Sequence, residues 1–203
     1  MRIKNLLYML GILLLPFAAI SQEQTQTAPQ MSEETKQMME VWMKMATPGA
    51  EHKQLMTLAG EYKIASKFRM EPGGPLTDST AQCEKKAVLG DRYLMEHCNG
   101  EAMAGMPPFE GMGLFGYNNY TKQYEMYWFD NMSTMGFVLK GKADATGKVI
   151  TVKGTYEDPA SKKMKKTRWV LTIQDANTHK LELFDTDSKG KEFLGAELHY
   201  TRK

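Results

Sequence analysis

Cysteine is scarce in this 203-residue sequence: there are two, Cys83 and Cys98, with no Cys-x-x-Cys spacing, so a thiol-redox centre is not expected. The chain also lacks a P-loop, a Gly-x-Ser-x-Gly elbow and a His-Glu-x-x-His helix, and no dinucleotide-binding glycine fingerprint is read in it. None of the four histidines, His52, His97, His179 and His199, stands at a metal-ligand spacing from another His or Cys, so no metal is expected. An excess of one charge is missing too. Lys+Arg 26 against Asp+Glu 24 leaves +2, and scattered charges argue against a nucleic-acid binder, which needs a basic patch. What is present, 42% hydrophobic and 25% charged residues, is ordinary globular composition.

The first 21 residues read as a secretory signal. Arg2 and Lys4 form a positive start, Leu6 to Leu15 is an apolar run too short to span a bilayer comfortably, and Pro16 breaks it. Ala19 and Ser21 supply small residues before Gln22, so cleavage is expected after Ser21 and a periplasmic location follows. No cysteine stands directly after the run, so no lipid anchor and no stable membrane anchor are expected after cleavage. Removing 21 of 203 residues leaves 182, one domain by length, with 24 basic residues against 24 acidic. Residues 22–31 are polar and repetitive, a flexible linker.

From Ser32 the apolar period is helical: Met38, Trp42 and Met45, with Met39, Met43 and Ala46, form one stripe, and Thr47-Pro48-Gly49 stops it. A second short helix over Glu51 to Leu58 completes a helical segment, 32–57. After Gly60 the period becomes two, first in Tyr62, Ile64, Ser66, Phe68 and Met70. Nine more strand-like runs follow, near 79–88, 92–101, 112–119, 123–130, 134–142, 148–157, 164–174, 179–186 and 191–201. Short Asp-, Gly- and Pro-bearing turns separate most of them, which is the pattern of an antiparallel meander. Ten strands hide their edges by closing, so residues 58–203 are expected to form an all-β, up-and-down barrel with helix at its N-terminus.

The cysteines test the register. If Gly90-Asp91 is a two-residue hairpin loop, Cys83 and Cys98 lie seven residues from it on either side and face each other, Cα atoms about 5.5 Å apart as a hydrogen-bonded pair. A disulfide Cys83–Cys98 is expected. The same register sets His97 opposite Glu84, a cross-strand polar contact or a base with its orienting acid. His179, beside a turn, is expected to be solvated.

Gly105 to Tyr117 is glycine-rich and reads as a loop, either closing the barrel end or forming the rim of a cavity, with Phe109 and Glu110 on it. Tyr124, Met126, Trp128 and Asp130 share a strand face. Candidate ligand-binding residues are therefore Phe109, Glu110, Tyr117, Met126, Trp128 and Asp130, and the expected ligand is a small apolar molecule. No catalytic residue and no cofactor are assigned. Two alternatives stand beside this: an interaction module docking through the Met-rich helix, and a hydrolase- or isomerase-type enzyme using Glu110 or Asp130 as acid or base.

Ordered motifs over residues 48–203 resemble a known family. They include Pro48-Gly49-x-Glu51-His52-x-x-Leu55, Leu58-x-Gly60-x-Tyr62, Met70-Glu71-Pro72-Gly73-Gly74, Leu89-Gly90-x-Arg92-Tyr93-Leu94 and Gly105-Met106-Pro107. Phe109-Glu110-Gly111-x-Gly113, Gly116-Tyr117-Asn118, Asp130-x-Met132-Ser133-Thr134, Gly154-x-Tyr156-x-Asp158-Pro159 and Tyr200-Thr201-Arg202-Lys203 continue the series. The pattern is similar to the bacterial domain of unknown function 1579 (DUF1579). The resemblance implies a lipocalin-like (calycin-type) barrel. Gly60-x-Tyr62 is similar to the Gly-x-Trp strand start of calycins, with Tyr in place of Trp, and Arg202 stands where such barrels place a closing Arg near that ring. It implies no activity.

Overall fold

The computed structural model describes residues 31–69, 71–102 and 107–203. The expected signal over 1–21 and linker residues 22–30 lie outside them, as do Met70 and residues 103–106. Two helices, α1 (Glu33–Ala46) and α2 (Ala50–Met56), precede ten strands. These are β1 (Gly60–Phe68), β2 (Thr77–Val88), β3 (Tyr93–Ala102), β4 (Pro108–Asn118), β5 (Gln123–Asp130), β6 (Phe137–Ala143), β7 (Val149–Asp158), β8 (Lys163–Ile173), β9 (Thr178–Thr186) and β10 (Glu192–Arg202).

Each strand pairs antiparallel with its sequence neighbour, and β1 also pairs with β10, so the sheet closes into a ten-stranded barrel. Closure satisfies the outer hydrogen-bonding edges that an open meander would leave to solvent or to another chain. The period-two pattern sets one row of each strand inward: Tyr62 and Ile64 on β1, Leu94 on β3, Tyr124 and Met126 on β5, Ile150 and Val152 on β7, Trp169 and Leu171 on β8.

Several turns are organised by an aspartate whose carboxylate accepts from backbone N–H groups ahead of it. Asp175 takes those of Asn177 and Thr178, and Asp187 those of Lys189 and Lys191.

The register of the β2–β3 hairpin is the expected one: Cys83 faces Cys98, and the two form a disulfide. The type of pair differs. Their Cα atoms are 4.1 Å apart, the spacing of a non-hydrogen-bonded pair. The reason lies in the turn. Four residues, Leu89 to Arg92, separate the strands rather than two, so the alternation counts from Val88–Tyr93. Leu89, Gly90 and Asp91 all take left-handed φ values, 53°, 63° and 61°, to make that reversal. The bridge spans 15 residues and stabilises by about 3 kcal/mol.

Helix α2 plugs one end of the barrel. Leu55 and the following Leu58 are almost fully buried. His52 explains part of the Pro48-to-Leu55 motif: its Nδ1 accepts from the Gly49 N–H at 3.0 Å, and its ring meets the Tyr117 ring edge-on at 5.8 Å. Burial holds this imidazole below its ordinary pKa. Arg202 clamps the same end, donating to the carbonyls of Ala59 (2.6 Å) and Thr57 (2.9 Å) with its guanidinium 5.0 Å over the Tyr62 ring. Gly60 leaves room for that guanidinium, because a Cβ there would collide with Arg202 Nη1.

Helix α1 is different. Ser32 caps it, accepting from Thr35 N–H, but none of its residues is buried. Most of its apolar stripe is exposed, with Trp42 at 63% and Met43 at 66%. Asn119 holds its C-terminal end through the Met45 and Thr47 carbonyls.

Candidate functional site

The two halves of the barrel interior are filled differently. Beneath α2 the packing is tight: the space among Leu55, Phe115, Met126, Ile150, Val152 and Leu171 is only ≈ 10 Å³, marginal for even one water. At the opposite end, inward-facing side chains are only half-buried. Phe109, Trp128, Phe137 and Tyr156 form this mouth, with Trp169 behind them.

These rings touch in sequence around the wall. Phe109 stacks on Trp128 (centroids 6.4 Å, 12° between planes). Trp128 and Phe137 both pack against Trp169, at 6.5 and 5.6 Å, and Phe137 meets Tyr156 edge-on at 5.5 Å. Two carboxylates end the arc. Asp130 accepts from Trp128 Nε1 at 2.9 Å and from the Met132 N–H; Asp185 accepts from the Tyr156 hydroxyl at 2.8 Å. Burial, with Asp185 added, pushes the Tyr156 phenol well above its ordinary pKa, so it remains a neutral donor.

The glycine-rich stretch makes this wall possible. From Pro108 it is strand, β4, rather than the loop read from composition. A Cβ on Gly111 would lie 2.5 Å from Trp128 Cζ2, and one on Gly113 2.9 Å from Trp128 Cε3. The indole therefore lies across two glycines that cannot be substituted without moving it. Gly111, Gly113 and Gly116 do stand at the spacing of a dinucleotide fingerprint, contrary to the expectation above. All three lie inside β4 with no helix after them, so they form no phosphate loop.

The structure brings three of the six candidate residues together at the mouth: Phe109, Trp128 and Asp130. Met126 is on the same face but in the tightly packed half, 2% exposed. Tyr117 is at the α2 end, with its ring against His52 and Tyr124. It borders a cleft of ≈ 230 Å³ with Met45, His52, Arg92 and Tyr93. Glu110 points out of the barrel and pairs with His97 at 3.0 Å. That contact corrects the expected His97–Glu84 pair: the two are opposite in register, but Glu84 bonds Lys86 instead.

A second cluster was missed in the sequence. Lys85, Glu96, His179, Tyr200 and Tyr62 meet inside the barrel beside the disulfide, each at most 3% exposed. Lys85 Nζ lies 3.3 Å from Glu96 Oε1, donates to His179 Nε2 at 2.9 Å, and sits 4.2 Å over the Tyr200 ring. His179 is thus fully buried, not solvated: it stacks on Tyr200 at 4.2 Å and meets Tyr62 edge-on. Burial, then Lys85 and Arg202, lowers its pKa to about 2, so it is a neutral acceptor. Burial likewise lowers Lys85, against the opposing pull of Glu96. Strict alternation carries the missed signal. Lys85 lies two residues beyond Cys83, Glu96 two before Cys98, and His179 two before Leu181, all on inward rows.

A closed antiparallel ten-stranded barrel with a helical plug and an aromatic mouth defines the class of this protein. The sequence pattern of one family matches residues 47–202, and the chain belongs to it: DUF1579, a family of proteins of unknown function. A comparison with curated proteins found no match. Among solved structures, a redesigned β-barrel is similar at 15% identity and a TM-score of 0.38, covering 72% of this chain and 92% of its own.

Proposed function

We propose that this protein is an exported carrier or receptor for a small, largely apolar molecule, taken up at the mouth opposite α2. One observation carries the reading: four aromatic rings on inward positions are left half-buried there, while the half of the interior beneath α2 is packed. Inward-facing aromatic area left open to water is what a flat ligand covers with gain. Export is supported by the leader-like first 21 residues and by the disulfide, which is compatible with an oxidising compartment.

Native mass spectrometry of the protein purified gently from its own cell envelope tests this. A stoichiometric extra mass is expected, lost on denaturation and absent from Trp128→Ala. The bare mass in every preparation, with wild type and Trp128→Ala indistinguishable, would count against the proposal.

A second reading is favoured by α1. Its apolar side chains, Met38, Val41, Trp42 and Met43, are each more than half exposed, as expected of a helix that docks on a partner protein.

A further inference from the structure

The aromatic mouth is not electrically neutral. Asp130 and Asp185 face inward at the two ends of the ring arc, each held by a neutral donor on a ring: Trp128 Nε1 and the Tyr156 hydroxyl. Their remaining contacts are backbone N–H groups, of Met132 and Thr186. Among the described residues neither has a cation within salt-bridge distance. The nearby inward aspartate, Asp158, differs, because Lys165 pairs with it at 3.3 Å. Lys163, at the start of β8, is exposed.

We propose that the ligand of this mouth is an organic cation with an aromatic or similarly flat apolar body, its charge held by Asp130 and Asp185. The inference rests on the reading of the mouth as a ligand site. Two independent features select the sign. The faces of Phe109, Trp128, Phe137 and Tyr156 carry the negative side of the ring quadrupole, which attracts a cation and repels an anion. The two uncompensated carboxylates act in the same sense, at lower dielectric than open water. A neutral ligand would leave both carboxylates facing apolar surface without a counter-charge, at a cost in desolvation. The donors on the rings add to the effect, since a ring N–H or O–H given to a carboxylate makes its π face more electron-rich.

Three probes share one ring and differ in charge: 2-phenylethylammonium, 2-phenylethanol and phenylacetate. Each is titrated calorimetrically into the full chain, into the Asp130→Asn/Asp185→Asn variant, and into Trp128→Leu. The ammonium is expected to bind about tenfold more tightly than the alcohol, and phenylacetate most weakly. The double Asn variant is expected to lose that tenfold preference while keeping its affinity for the alcohol. Asn retains a carbonyl acceptor for the ring donors, and the single variants serve if the double one melts early. Equal binding of ammonium and alcohol, both lost in Trp128→Leu, would overturn the charge inference and leave the mouth as a ligand site. A preference for phenylacetate, or an ammonium preference untouched by both Asn changes, would also overturn it. Absence of binding by all three would overturn this inference, while the native mass spectrum would still judge the mouth independently.

Discussion

His179 shows how much one side chain depends on its surroundings. Ordinarily a histidine takes up a proton near pH 6.5; here burial, Lys85 and Arg202 lower that value to about 2. Between those limits the unfolded chain binds the proton and the folded chain does not, so stability falls as the pH drops from about 6.5. His179→Gln keeps an acceptor for Lys85 but has nothing to titrate. Going from pH 7 to pH 4, the wild type is expected to lose about 3 kcal/mol more than this variant. Urea midpoints at a series of pH values measure it, and parallel curves for the two proteins would refute it. The neighbouring Lys85–Glu96 pair is a costly feature for a core. Removal of one partner alone would strand a buried charge, which makes the pair a determinant of how β2, β3 and β9 meet.

At the scale of elements, the two helices separate by what they bury. Both are short and both have apolar residues, but α2 inserts Leu55 into the barrel end while α1 buries nothing. Deletion of residues 31–46 is therefore expected to leave the thermal midpoint of the barrel within about a degree or two, because exposed positions contribute little. Leu55→Ala is expected to cost about 2–5 kcal/mol. Thermal melts of the two variants decide it. A large drop on deleting α1 would make that helix structural and would remove the support for docking through it. The amphipathic stripe of α1 was legible in the sequence, but its partner was not. Periodicity reports which side chains share a face, and only the position of the helix reports what that face meets.

Across the whole molecule, closure depends on the β1–β10 seam, and Arg202 ties that seam to the plug. Its guanidinium reaches the carbonyls of Thr57, Ala59 and Ala176 and covers the Tyr62 ring. Arg202→Ala is expected to cost about 3 kcal/mol, since bonds from a charged donor are worth more than neutral ones. Amide hydrogen exchange is expected to quicken first along β1 and β10, around Ile64 and Tyr200. Uniform acceleration across all ten strands would show that the seam is no weaker than the rest. The Arg202–Tyr62 contact was anticipated by the family resemblance, and the structure adds the three carbonyls that the guanidinium closes upon.

Alternation along the chain settled the ten strands, and the spacing of the cysteines about Gly90-Asp91 settled the hairpin register, because pleat and pairing are local properties with a period of two. The same local rule placed Trp128 and Asp130 on one inward face. Tertiary structure alone decided the rest. The direction of the Glu110 side chain needed the true start of β4, which composition hid under glycines whose purpose is to admit the Trp128 ring. The pairing of Lys85 with His179 joins β2 to β9, separated by 94 residues in the chain, and no short-range pattern encodes it. Which end of the barrel is plugged and which is open was likewise decided by where α2 packs, a contact between surfaces that are distant in sequence and meet only when the sheet closes.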